Sequence, residues 1–361
     1  MRPYWEEEFG NPSSPYALGL RAKAGLEEAR AEVADLLGCR PHEIIFTSGG
    51  SESNNMVLKG LIDFRNPGKH ELITSSVEHP AILNPALYLM ELGVRVTFLS
   101  VDARGRVDPD DLRRIISERT TLVSIMTANN EIGTLQPMGD IVRIAHDRGV
   151  PVHTDAAQAV GKWDLNVNEP AVDFLSVAGH KLYAPKGIGA LYIREDHPLT
   201  PLVHGAGQEG GRRPGTENVI LAAGLGAACR VATGRLQGDL KKMATMRNRL
   251  ETLLFGGLPD LVLNGHPEKR LPNTLNVSVP GLEGAKILEG LPRIMASTGA
   301  ACHDRTVRLS HVLSAMGVAP QIGMGALRFS VGRLNTPSQM EEAARSVIRQ
   351  VKGMREGKAN A

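Results

Sequence analysis

Cysteine is scarce in this 361-residue chain: there are three, Cys39, Cys229 and Cys302, far apart and odd in number. They form no CxxC pair and no disulfide framework, so a stapled secreted fold is excluded and a reducing cytoplasm is expected. An excess of one charge is also missing. Lys plus Arg is 41 and Asp plus Glu is 39, a net of +2, with no block of like charge. That balance argues against nucleic acid or an acidic membrane as the main partner. The longest wholly apolar run, "VILAAGLGAAC" from Val219, falls well short of the roughly 20 residues that span a bilayer. The opening "MRPYWEEEFGNPSS" lacks the apolar core of a signal peptide. No internal repeat and no low-complexity tract is present. These absences leave a soluble globular protein, and the length favours two subdomains over one core.

From about residue 40 to 195, short β-rich runs alternate with helical patterns. "EIIFTS", "ELITSS", "RVTFLSV", "TLVSIMT", "VPVHTD" and "DFLSVAG" read as strands, with "SESNNMVLKGLIDF" and "MGDIVRIAHDRG" as helices between them. Such alternation predicts a mainly parallel α/β sheet, whose ligand lies beyond the C-terminal strand ends. The chemically interesting residues fall there: Ser48 to Ser51, His79, Asn130, Asp155, Gln158 and Lys181. After Asn218 the texture changes. Leu236, Leu240, Met243, Met246, Leu250 and Leu253 recur at steps of three and four, a helix face that core packing explains. "NTLNVSVPG", "RIMASTGAAC" and "ALRFSVG" look like strands, and "SQMEEAARSVIRQVKGM" like a closing helix. A smaller α/β domain from about residue 231 is expected.

Several stretches at the strand ends carry chemistry in combination. In "IIFTSGGSESNN" a strand runs into Ser48-Gly49-Gly50-Ser51 and a helix, which offers free N–H groups to a phosphate; Ser51, Glu52 and Asn54 could equally be a helix cap. Asp155 of "VPVHTDAAQAVGK" could hold a ring nitrogen protonated or cap a helix. His79 of "SSVEHPAIL" could lie flat on an aromatic ring or be structural. Asn129 and Asn130 of "ANNEIGTLQP" could form a turn. Lys181 of "SVAGHKLYAPKGIGALYIR" ends a strand before a Gly/Pro turn. It is either a solvated lysine or, if desolvation frees its amine, a Schiff-base former. Together these are the parts that a pyridoxal phosphate site needs.

In order along the chain, the motifs resemble the cysteine desulfurase and selenocysteine lyase family, class-V aminotransferase-like enzymes of fold type I. "GHKLYAPKGIGALYIR", "HTDAAQAVGK", "NNEIG" and "PGTEN" carry the resemblance, which runs from "EEFGNPSS" to "ALRFSVGRLNT". It implies a large domain over 16–230, with a mainly parallel seven-stranded sheet that binds the cofactor. Residues 1–15 and 231–361 would form the small domain carrying a catalytic cysteine loop. Lys181 would form the internal aldimine with pyridoxal 5'-phosphate, His79 would stack on its ring, Asp155 would pair with its nitrogen and Gln158 would bond its phenolic oxygen. Gly50, Ser51 and His180 would hold the phosphate, with Thr216 of "RRPGTEN" reaching in from a second subunit of a homodimer. Asn130 and Arg328 would fix the amino-acid substrate, Arg328 gripping the carboxylate. Cys302 coincides with the nucleophile that takes the substrate sulfur as a persulfide for an acceptor protein, leaving alanine. No metal is implied.

The chain departs from the family pattern in places. A strand and an Ala-Thr-Thr-Pro turn usually precede "FGNPSS", and that opening is absent here. Ala178 stands where many desulfurases place a serine, and Tyr16 replaces a common histidine. "NPSSPY", "SGGSESNN" and "GAACH" lean toward the selenocysteine lyase branch, so L-selenocysteine is the alternative substrate to L-cysteine. A weakly active homologue serving as a sulfur-relay or assembly partner is the alternative of another class.

Overall fold

The computed structural model of the chain describes every residue except 196, 299, 304, 305, 360 and 361; the side chains of 300–303, 306–308, 358 and 359 are also outside the description. The chain divides into two compact units. The larger comprises Met1–Leu99, Val107–Thr127 and Gln136–Leu236. The smaller comprises Ser100–Arg106, Ala128–Leu135 and Gln237–Ala361.

The larger unit is built on a seven-stranded sheet of β1 (Ile44–Thr47), β2 (Glu71–Ser75), β3 (Arg95–Leu99), β4 (Thr120–Ser124), β5 (Val152–Asp155), β6 (Phe174–Ala178) and β7 (Gly189–Ile193). Their order is β1-β7-β6-β5-β4-β2-β3. The pairs among β3, β2, β4, β5 and β6 are parallel, whereas β7 runs antiparallel to both β6 and β1. Parallel strands are covered on both faces, which is why "ELITS" and "FLSVA" read as unbroken runs rather than alternating ones; every residue of β2 and β6 is buried. The edge strand β3 opens on an exposed arginine, Arg95, a charge that blunts an unpaired edge. His153 stitches the sheet centre. Its ring bonds Ser124 Oγ on β4 at 2.8 Å and Ser176 Oγ on β6 at 3.0 Å, and burial pushes it down to about 3, so it stays neutral.

The smaller unit holds β8 (Val262–Leu263), β9 (Thr274–Ser278), β10 (Ser297–Thr298), β11 (Ala300–His303), β12 (Thr306–Leu309) and β13 (Ala326–Ser330). A four-stranded antiparallel sheet runs β10-β13-β9-β8, and β11 and β12 form a separate hairpin. "RIMASTGAAC" thus splits into two strands of different sheets. Met243, Met246, Leu250 and Leu254 of the helix Val219–Gly257 pack with Leu275, Val277, Leu327 and Phe329 of the sheet and with Met340, Ala344, Val347 and Val351 of the helix Pro337–Ala359. Met243, Met246 and Leu250 of the anticipated face lie in this core; Leu240 and Leu253 pack against it only partly buried, and Leu254 is the fully buried residue at that end.

The unit boundaries differ from the expected ones in four places, one being Ser100–Arg106, which belongs to the smaller unit. Residues 1–15 cluster with the larger unit, because Tyr4 lies so close over Gly25 of the helix Ala17–Leu37 that a Cβ there would collide with its ring. Ala128–Leu135 joins the smaller unit through backbone bonds such as Leu135 N to Lys269 O and Leu271 N to Gly133 O, both 2.9 Å. The division in the long helix falls between Leu236 and Gln237, inside one continuous 39-residue helix.

Candidate active site

The helix Gly50–Gly60 starts directly after β1, and the turn between them demands glycine. Gly49 sits at φ +151°, a conformation L side chains rarely adopt, and a Cβ there would meet nothing within 4 Å. Open space therefore faces the first turn of an 11-residue helix, whose N-terminus favours an anion. Glu52 shapes this turn: Ser48 N donates to one carboxylate oxygen at 2.6 Å, and Arg213 Nε donates to the other at 2.9 Å. Burial opposes the Glu52 charge, but the bonds from Arg213 and Ser48 outweigh it and hold the carboxyl below its usual range. Arg213 is three residues from Thr216, so this bond tethers the Thr216 loop to the helix of the same chain. Gly50 and Ser51 open the helix; a Cβ on Gly50 would touch the Ala178 methyl at 3.4 Å, which puts the end of β6 beside the cradle.

Asp155 ends β5 and is buried, at 7 % exposure. One carboxylate oxygen accepts from Asn54 Nδ2 at 2.8 Å and the other from Ala157 N at 3.0 Å. Asn54 is thus a buried anchor for Asp155 rather than a helix cap. Two residues with no clear sequence signal join this region. Glu78 precedes His79 and is fully buried. Its Oε1 accepts from Ser75 Oγ at 2.7 Å and from Met126 N at 2.9 Å, which ties the end of β2 to the segment after β4. Lys162, in the turn that follows Asp155, is 8 % exposed.

Lys181 lies in the short turn Gly179–Leu182 between β6 and β7, and its side chain is exposed in the single chain. Burial falls instead on its neighbour Lys162. His180 is exposed, and burial, then Lys181 and Lys162, depress its pKa, which favours a neutral ring. His79 is exposed and caps the helix Pro80–Glu91, its Nδ1 accepting from Ala81 N at 3.1 Å. Gln158 is half-buried in the segment after β5, and Thr216 is exposed in its loop.

The smaller unit carries the remaining candidates. Asn129 makes the turn of "NNEIG": its Oδ1 accepts from Glu131 N at 2.8 Å and Ile132 N at 3.0 Å. Asn130 is then released from turn-making. Its carbonyl accepts from Arg328 Nη1 at 2.9 Å, and its buried Oδ1 has no partner among the described residues. Arg328 is held on β13 opposite Asn276 of β9. Cys302 lies on β11 opposite Val307, with its side chain outside the described set. Burial pushes both other thiols, Cys39 and Cys229, up to about 12, so neither is a thiolate near neutral pH.

A model of the aminotransferase class-V family matches residues 1–342. The chain belongs to the class-V aminotransferase family. Enzymes of this family use pyridoxal phosphate. Among curated class-V relatives, the "Cysteine desulfurase IscS" of Methanosarcina thermophila is 45% identical over 361 residues, covering 98% of this chain and 89% of its own length. The protein of the same name from Dictyoglomus turgidum is 43% identical over 343 residues, 94% of this chain and 87% of its own. Among solved class-V structures, a NifS-like protein superposes with a TM-score of 0.91 at 37% identity, covering 97% of this chain and 94% of that one. SspA in complex with cysteine superposes at 0.80 with 34% identity, over 93% and 94% of the two chains.

Glu78 supplies a pH test. Burial, then the Asp155 charge, raises its carboxyl from 4.5 to about 8 despite the bonds from Ser75 and Met126. The folded state therefore holds a proton that the unfolded state has lost between those values. Its contribution to stability is full below about 4.5 and is lost as pH rises through about 8. Glu78→Gln keeps the acceptor oxygen and removes the titration. Urea unfolding should find the variant more stable than wild type at high pH, by about 5 kcal/mol at most, and close to it in acid. Parallel pH profiles for the two proteins would contradict this.

Proposed function

We propose that this chain is a cytoplasmic, homodimeric, pyridoxal-phosphate-dependent cysteine desulfurase that converts L-cysteine to L-alanine and passes the sulfur to an acceptor protein. One observation supports it above the others. A buried carboxylate anchored by Asn54, a glycine-opened helix N-terminus and an exposed turn lysine all belong to the larger unit. Their chemistry fits a phosphorylated pyridine aldehyde: amides and Ser51 for the phosphate, Asp155 for a protonated ring nitrogen, Lys181 for the aldehyde carbon. When bound, the cofactor supplies an electron sink for the substrate carbon.

The chain's own residues then divide the work. Gly50, Ser51 and His180 would hold the phosphate, joined by Thr216 from a second copy. His79 would cover the ring face and Gln158 would bond its phenolic oxygen. Asp155 would face the ring nitrogen, its carboxylate anchored by the bonds from Asn54 and the Ala157 amide. Arg328 grips the substrate carboxylate while its contact with the Asn130 carbonyl fixes the guanidinium. The Asn130 amide is available to the substrate. Cys302, as thiolate, attacks the substrate sulfur: the S–S bond forms, the C–S bond breaks, and the electron pair stays with carbon, which takes a proton to become alanine. Burial raises the pKa of the other two thiols, which supports Cys302 as the nucleophile.

The direct experiment combines an absorbance spectrum with alanine release from cysteine. A yellow protein that borohydride bleaches, with the reduced cofactor on Lys181, is expected; the cofactor on Lys186 would overturn the lysine assignment. Light scattering should find a dimer, and an active monomer would remove Thr216 from the cradle. The residues "GAACH" favour a second reading, release of selenium from L-selenocysteine. Turnover of selenocysteine but not cysteine would select it, and turnover of neither would select the assembly-partner role. Arg328→Ala should raise KM for either substrate, since a charge-assisted carboxylate contact is worth roughly 2 kcal/mol. An unchanged KM would free Arg328 from that role.

A further inference from the structure

Lys162 is a cation without a carboxylate. It is 8 % exposed, and among the described residues no acidic group pairs with it. Its Nζ instead donates to the main-chain carbonyl of Lys181 at 3.0 Å. The two turns concerned are packed together: a Cβ on Gly161 would lie 3.5 Å from the Leu182 Cβ. The Lys181 turn is itself held in a sparsely populated geometry, because Tyr183 follows it at φ +70°, a value bulky side chains disfavour. Such a turn persists only when its surroundings over-determine it. Among the bonds that hold it are Gly179 N to Ile188 O and Ala184 N to Gly179 O, both 3.1 Å, the Tyr183 amide to Gly179 O, and the bond from Lys162 Nζ.

Resting on the reading of Lys181 as the cofactor lysine, we propose that Lys162 is a positioning residue that clamps the main chain of Lys181 and so presents its amine to the aldehyde. The clamp also joins the Lys181 turn to the segment that begins at Asp155, so the ring-nitrogen partner and the lysine are set by one piece of chain. A buried, unpaired lysine is a poor stabilising device. Burial, then the Lys181 charge, lowers its pKa to about 7, and an apolar replacement would remove that burden. Its presence points to the geometry it imposes.

The test uses Lys162→Met, Lys162→Gln and Lys162→Arg in the full chain, prepared without cofactor. Hydrogen exchange at amides 179–184 should be about tenfold faster in Lys162→Met than in wild type. The change should be confined to that turn, and the melting temperature at pH 7 should not fall. Capture of added pyridoxal phosphate by the same variant should be roughly tenfold slower. Lys162→Arg, which keeps a donor, should recover most of both. If Lys162→Met fails to fold, Lys162→Gln, too short to reach the carbonyl, carries the same two readouts. Wild-type exchange and capture in the variant, or faster exchange spread over the whole chain, would overturn the clamp. A localised exchange effect in a protein whose wild type links cofactor elsewhere would leave the clamp standing and reject the reading of Lys181.

Discussion

Replacing Cys302 with alanine should abolish alanine release from cysteine yet leave measurable release from selenocysteine. A thiol is a poor leaving group from carbon, so the substrate sulfur must be drawn off by an attacking thiolate. A selenol is far more acidic than a thiol and its bond to carbon is weaker, so selenium departs with less help. No other cysteine can substitute, because burial pushes Cys39 and Cys229 up to about 12. The measurement is alanine production by wild type and variant on each substrate under anaerobic conditions. The cofactor spectrum should be unchanged, since Cys302 is not among the residues proposed to hold the cofactor. Full cysteine activity in the variant would remove Cys302 from the reaction.

Asp155→Asn should be the next most damaging change, lowering alanine release roughly 10²- to 10³-fold, the range seen when one preorganised electrostatic partner is lost. The amide nearly matches the carboxylate in shape but carries no charge to keep a ring nitrogen protonated. It also faces the Asn54 Nδ2 donor, now 2.8 Å from the carboxylate, with half the acceptor capacity. Reduction with borohydride should still fix the cofactor on Lys181, which separates lost electronics from lost binding. A variant that turns over like wild type would show that Asp155 serves only the turn made by the Ala157 amide.

The strands and the lysine turn were readable because their signals are local. Unbroken apolar runs marked the buried parallel strands, and Gly/Pro punctuation marked the hairpin after Lys181. The helix face carrying Met243, Met246 and Leu250 was equally plain from its spacing. What sequence could not supply were properties created by packing. Lys162 and Lys181 look alike in the chain, yet the first is buried and the second exposed. Glu78 reads as an ordinary acid beside a histidine until burial raises it to about 8. Asn54 reads as a cap until the helix turns it toward Asp155. The paired asparagines divided their tasks only in three dimensions, Asn129 making the turn and the Asn130 carbonyl holding Arg328. The first fifteen residues join the larger unit through the seat of Tyr4 on Gly25, a contact that no periodicity announces.

The central claim is that sulfur leaves cysteine and arrives on Cys302. The most direct measurement is peptide mass spectrometry of the cofactor-loaded enzyme after brief exposure to L-cysteine without acceptor or reductant, with alanine counted in the same sample. The account predicts one additional sulfur atom on the peptide containing Cys302, in step with the alanine formed, and none on those containing Cys39 or Cys229. Alanine formed with the extra sulfur on Cys39 or Cys229, or no alanine at all, would contradict it.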